Sequence, residues 1–120
     1  LNKIMFLGLT PIVAHVERYM DVDENGIHQL INMGVYIQVN AESVLKTKLI
    51  GDKHKHLKKR AKKYLDKNLV HFIASDMHNV ETRKTHMKEA FEIIKNKYGL
   101  SKALELFKEN QEKLLMNKVI

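Results

Sequence analysis

The chain contains no cysteine and no tryptophan, and only one proline and five glycines in 120 residues. Without cysteine there is no disulfide framework, no thiolate metal ligand and no cysteine nucleophile. That absence accords with a reducing compartment, and a cytoplasmic location is expected. Aromatic residues are sparse, four Phe and four Tyr. They do not interleave with the basic residues, so there is no base-stacking platform and no nucleic-acid partner is expected. No apolar run is long enough to cross a bilayer and no signal-peptide pattern is seen, so no membrane insertion is expected. A glycine-rich phosphate loop, a Ser-His-Asp order and zinc-finger spacing are also missing.

What is present is the composition of one globular domain, 44% hydrophobic and 29% charged, with enough chain to enclose a core. Lysine and arginine number 21 against 14 acids, a formal charge of +7. The lysines are densest from Lys53 to Lys67, where a solvated helix face accounts for most of them. The net charge favours anionic or phosphorylated partners. The chain opens on Leu1, and Leu1 to Leu9 reads as the end of a helix running into a turn at Gly8. A fragment whose N-terminal portion lies upstream is expected.

The remaining pattern alternates strand and helix. Pro11 to Val16 is a short apolar strand, with Glu17, Arg18 and Tyr19 as its polar end. Asp21 to Asn25 is a loop with capping residues. Ile27, Leu30 and Ile31 recur at helical spacing, and Gly34 fits the position just past the helix end. Val35 to Val39 is the second strand, ending at Asn40, with a short helix around Ser43 to Lys46. Leu57, Ala61, Tyr64 and Leu65 follow i, i+4, i+7, i+8 within a helix over 53–66. Val70 to Ser75 is the third strand. Met87, Ala90, Phe91, Ile94 and Tyr98 line one face of a helix closed by Gly99. Ser101 is expected to cap a further helix, and Asn110 a last one. Strands that are apolar along their length and polar at their C-terminal ends indicate β-α units in a parallel sheet. In such α/β folds, function gathers at those ends.

The strand ends carry the candidate chemistry. Asp76 and His78, two apart, share a face if the strand geometry persists. A carboxylate and an imidazole there can ligate manganese, iron or zinc. His15 offers a second imidazole at an equivalent strand end. Arg18 brings a planar fork suited to phosphate, and Arg83 a second one from just before the Met87 helix. Taken singly, His15 reads as a core histidine, Arg18 as an ion-pair partner and Arg83 as an exposed side chain. Their recurrence on one rim is what points to a site. Glu17 and Asn40 are placed as supporting or purely structural groups. His54 and His56 lie two apart on a helix and cannot readily share an ion. They are expected at the surface, as are His28, His71 and His86. One Asp, two His and two Arg are too few for a hydrolytic metal centre of two or three ions.

The stretches Pro11-Ile-Val-Ala-His-Val-Glu-Arg-Tyr19, Tyr36-Ile-Gln-Val-Asn40, Leu49-Ile-Gly-Asp52 and Leu69-Val-His-Phe-Ile-Ala-Ser-Asp-Met-His-Asn79 resemble the C-terminal half of bacterial CpsB/YwqE-type protein-tyrosine phosphatases. That family serves capsule and exopolysaccharide synthesis and lies within the polymerase and histidinol phosphatase (PHP) superfamily. The resemblance runs nearly end to end. It implies a distorted (β/α)7 TIM-like barrel, of which residues 1–120 supply the C-terminal portion as a single domain. It implies a Mn²⁺-dependent phosphatase with two or three ions, acting on the phosphotyrosine tail of a cognate tyrosine autokinase. Carried over by motif, His15, Asp76 and His78 are metal ligands, and Arg18 and Arg83 bind substrate phosphate. The family's opening His-x-His, a further His and a bridging Glu have no counterpart here and are expected upstream of Leu1, so the chain alone is expected to be an incomplete enzyme. The alternatives are a PHP phosphoesterase acting on a small phosphorylated metabolite, and an inactive half-barrel that self-associates as a homo-oligomer.

Overall fold

The computed structural model describes residues 1–76 and 86–120. Three strands, β1 (Ile12–Val13), β2 (Tyr36–Asn40) and β3 (Phe72–Ala74), form one sheet in the order β1-β2-β3. Both pairings are parallel. Ile12 lies opposite Tyr36 and Val13 opposite Ile37; Gln38 lies opposite Phe72 and Asn40 opposite Ala74. The α/β architecture with a parallel sheet agrees with the alternation in the sequence. All three C-terminal strand ends therefore lie on one edge. Central β2 is buried from Ile37 to Asn40, as expected of a strand covered on both faces.

The helices are α1 (Asn2–Phe6), α2 (Glu24–Asn32), α3 (Lys55–Asp66), α4 (Met87–Tyr98), α5 (Leu100–Leu104) and α6 (Asn110–Leu115). Asp23 starts α2, its side chain accepting from Gly26 N at 2.8 Å. Gly34, at φ 88°, ends it: Val35 N reaches Leu30 O and Gly34 N reaches Ile31 O, which satisfies two terminal carbonyls. Asn68, at φ 57°, closes α3 the same way, with Leu69 N on Tyr64 O and Asn68 N on Leu65 O. Leu57, Ala61, Tyr64 and Leu65 are the buried face of α3, as their spacing predicts. Ala61, Tyr64 and Leu65 pack into one core with Ile27, Ile37, Val39, Ile73, Ile94 and Leu106, among others. His54, His56 and His28 are exposed. No helix among the described residues is long and apolar enough to cross a membrane.

Several elements differ from the sequence pattern. The first strand stops at Val13, and Val16–Arg18 is a 3₁₀ turn rather than a polar strand end. The ladder ends there because the His15 N–H is taken by a side chain, Gln38 Oε1. The helix expected over 43–46 is a 3₁₀ turn over Ala41–Val44. Ser101 does not start a helix, since α5 begins at Leu100 directly after Gly99. Asn110 is no cap either: α5 runs through a π-helical turn (Glu105–Glu109) into α6 with helical backbone angles at Leu104, Glu109 and Asn110. Its side chain is buried and donates to His71 O at 2.8 Å, so it serves the sheet rather than a helix end.

His71 is half-buried, not a surface residue. Its N–H donates to Ile37 O, and its ring Nδ1 accepts from Ile37 N at 3.0 Å. The imidazole thus stands where a parallel ladder needs a carbonyl. Burial, with the Lys102 ammonium adding to it, holds the His71 pKa below its ordinary 6.5. The unfolded chain therefore binds the proton more readily than the folded one. This stability is complete above pH ~6.5 and is lost as pH falls through that value towards the folded pKa. Urea unfolding at pH 7.5 and 5.5 is expected to show lower stability at pH 5.5, with a smaller difference in His71→Gln; equal pH dependence in the two proteins would contradict this role. Asn110→Ala is expected to lower unfolding stability by about 1–3 kcal/mol, the cost of removing one partner of a buried hydrogen bond, as read by the same titration at pH 7.5.

Candidate active site

The site forms where the chain leaves β1 and β3. His15 adopts a left-handed backbone, φ 52° and ψ 43°, a conformation that costs an L-residue roughly 1–2 kcal/mol. Two contacts to β2 hold it: its N–H donates to Gln38 Oε1 at 2.7 Å, and its ring Nδ1 lies 2.7 Å from Asn40 Oδ1. Gln38 and Asn40 are two apart on β2 and so share a face, while Ile37 and Val39 point to the other. The 3₁₀ turn after His15 is anchored to the same strand end. The buried Glu17 accepts from Asn40 N at 3.0 Å and from Ser43 Oγ at 2.7 Å through Oε1. Its second oxygen, Oε2, is buried with no hydrogen-bond partner among the described residues. Glu17 thus ties the turn to the end of β2, and Asn40 joins β2 to the site directly.

Asp76 lies two residues past β3 and reaches across to the β1 end. Its Oδ1 is 3.9 Å from His15 Nε2 and its Oδ2 is 3.6 Å from Arg18. Asp76 is nearly covered, its side chain 9% exposed, whereas Arg18 keeps 45% of its side chain accessible. One carboxylate therefore links the imidazole to the guanidinium. His15 and Arg18 from one stretch and Asp76 from another converge on one rim. His78 and Arg83 lie outside the described residues. Among the described residues no group of three or more His, Asp or Glu side chains is placed to hold a metal ion.

The donor chemistry at His15 and Asp76 suits a divalent cation. An imidazole nitrogen and a carboxylate oxygen facing each other at 3.9 Å leave room for a positive charge between them, and both donor types bind manganese, iron and zinc. Gln38 is the residue that the sequence pattern does not single out as functional. A signal for it exists: Gln38 and Asn40 alternate with Ile37 and Val39, placing two polar side chains on one face of an otherwise apolar strand.

A family model described as "Capsular polysaccharide synthesis, CpsB/CapC" matches residues 1–116. The chain is 46% identical over 122 positions to the tyrosine-protein phosphatase CpsB of Streptococcus pneumoniae, covering 100% of this chain and 50% of the relative. It is 36% identical over 115 positions to the tyrosine-protein phosphatase YwqE of Bacillus subtilis, covering 94% and 43%. It is 34% identical over 120 positions to a putative tyrosine-protein phosphatase, CapC, of Staphylococcus aureus, covering 98% and 45%. The chain spans about half the length of the curated relatives it matches. With a family model over nearly its whole length and relatives at this identity, the chain belongs to the CpsB/CapC family of capsular polysaccharide synthesis.

Proposed function

We propose that this chain is the C-terminal portion of a metal-dependent protein-tyrosine phosphatase that regulates capsular or exopolysaccharide synthesis. The observation that carries this reading is the convergence of His15, Asp76 and Arg18 at the C-terminal edge of a parallel sheet, in a chain whose relatives are named as tyrosine-protein phosphatases. The three strands form part of a distorted (β/α)7 barrel of the PHP type, completed by units outside residues 1–120. His15 and Asp76 would hold Mn²⁺ together with His78 and with ligands outside the chain. Bound divalent ions supply Lewis acidity towards phosphoryl oxygens and acidify water.

The chain's own residues do the rest. Asn40 orients the His15 ring, and Asp76 faces it across the opening. Arg18 is exposed enough to meet a substrate, and its planar fork fits two phosphoryl oxygens at once. There it offsets the charge that builds on the equatorial oxygens as phosphorus is attacked. Arg83 is assigned the same role. The substrate is the phosphotyrosine tail of a cognate tyrosine autokinase in the cytoplasm. A formal charge of +7 favours the approach of such an anionic segment.

The test replaces the matching segment of the Streptococcus pneumoniae CpsB with this chain. Mn²⁺-dependent hydrolysis of a phosphotyrosine peptide is expected. Arg18→Ala and Asp76→Ala are each expected to lower kcat/KM by about 10²-fold or more, the scale of losing one charge-stabilising group. Full rates in both variants, or no hydrolysis by the parent chimera, would overturn the assignment. Preferential hydrolysis of histidinol phosphate would replace the protein substrate with a small metabolite.

A further inference from the structure

We infer that Gln38 and Asn40 are positioning residues that fix the tautomer of His15, holding its Nε2 unprotonated and turned to Asp76; this rests on the metal-site reading of the same corner and deepens it. The hydrogen bonds constrain one another in a definite order. Gln38 has only one possible orientation. Its Oε1 accepts from the His15 backbone N–H at 2.7 Å, and its Nε2 donates to Val39 O at 2.8 Å. Both partners are main-chain groups whose donor and acceptor roles cannot be exchanged.

With Gln38 fixed, its Nε2 also points at Asn40 Oδ1, 3.3 Å away. A rotated Asn40 amide would set one NH₂ against another. Asn40 therefore presents its oxygen, and that oxygen lies 2.7 Å from His15 Nδ1. An amide oxygen only accepts, so Nδ1 must carry the proton. The neutral ring then has its lone pair on Nε2, the nitrogen 3.9 Å from Asp76 Oδ1. This orientation has a cost, since Asn40 Nδ2 is buried with no hydrogen-bond partner among the described residues. The left-handed backbone at His15 adds another. Both costs fall on the groups that aim one nitrogen. A hydrogen bond from the second ring nitrogen is the usual means of fixing a metal-binding imidazole, and its loss typically weakens binding by about 10–100-fold.

Nitrogen-15 NMR of the metal-free chain at alkaline pH reads the tautomer directly, with neither metal nor substrate. The expected result is a His15 ring protonated at Nδ1. Asn40→Asp keeps an acceptor and should keep that tautomer. Asn40→Leu, of similar size, should release the ring to the Nε2–H form favoured by free imidazole. Mn²⁺ alone, followed by its broadening of the His15 signals, should then bind about 10–100-fold more weakly to Asn40→Leu than to the parent, with Asn40→Asp close to the parent. A parent ring protonated at Nε2 would overturn the inference, as would a folded Asn40→Leu with unchanged tautomer. If Asn40→Leu does not fold, the parent spectrum decides together with Gln38→Leu, which frees the Asn40 amide and should mix the tautomers. A chain that shows the Nδ1–H ring yet binds no Mn²⁺ would count against the metal reading and leave the relay standing.

Discussion

The polar face of β2 is the constraint on which the rest of the site depends. A strand buried on both sides would ordinarily carry apolar residues throughout, yet Gln38 and Asn40 are almost wholly buried. An unpaired buried amide costs about 1–3 kcal/mol, so the surrounding chain is held to arrangements that meet these groups. Residues His15 to Arg18 meet most of them. The His15 backbone satisfies Gln38, the His15 ring satisfies Asn40, and the Glu17 carboxylate takes the Asn40 N–H. A two-residue β1 would by itself be a weak guide for the turn after it. The hydrogen bonds to β2, rather than the ladder, fix where the His15 ring and the Arg18 turn sit.

The same device recurs at the other end of the sheet. Before β3 begins, the His71 ring supplies the acceptor for Ile37 N, and Asn110 reaches from the last helix to the His71 carbonyl. β1 and β3 have two and three residues, so few ladder bonds are available. Side chains therefore complete the hydrogen bonding of β2 at both its ends. At the His71 end this ties the sheet to α6 and makes its stability sensitive to acid. At the His15 end it builds a polar corner. The two ends share a physical cause and have different consequences, because only the C-terminal edge brings a carboxylate from β3 across to β1.

Much of the architecture is legible in the sequence because it depends on local periodicity. The apolar spacing of Leu57, Ala61, Tyr64 and Leu65 names the buried face of α3, and Gly34 marks the end of α2 by the backbone angle it permits. Parallel order follows from helices standing between apolar strands. The features that are not legible depend on partners distant in sequence. Nothing in Val13-Ala-His-Val announces a left-handed histidine, since the groups that hold it are 23 and 25 residues away. Asn110 reads as a cap because asparagine favours that position, and only its contact with His71, 39 residues off, shows otherwise. His71 reads as a surface residue for the same reason: its function is to complete a ladder that no local pattern reveals.

Asp76 is the side chain through which the two parts of the proposed site meet. Its two oxygens face different partners, Oδ1 towards the His15 ring and Oδ2 towards Arg18. At 3.9 and 3.6 Å neither of these contacts is a close hydrogen bond, so neither the ring nor the guanidinium is tightly held by the carboxylate. In the tautomer inferred above, His15 turns a lone pair to Oδ1, and a cation between two such facing acceptors would stabilise both. A divalent ion held by His15 and Asp76 would draw on the carboxylate and loosen its contact with Arg18. The guanidinium, 45% exposed, would then be open to a phosphoryl group. A corner in which cation binding frees an arginine for a phosphoryl group couples two parts of the proposed chemistry through one side chain. That coupling needs the His15 lone pair on the Asp76 side, and it is Gln38 and Asn40 that put it there.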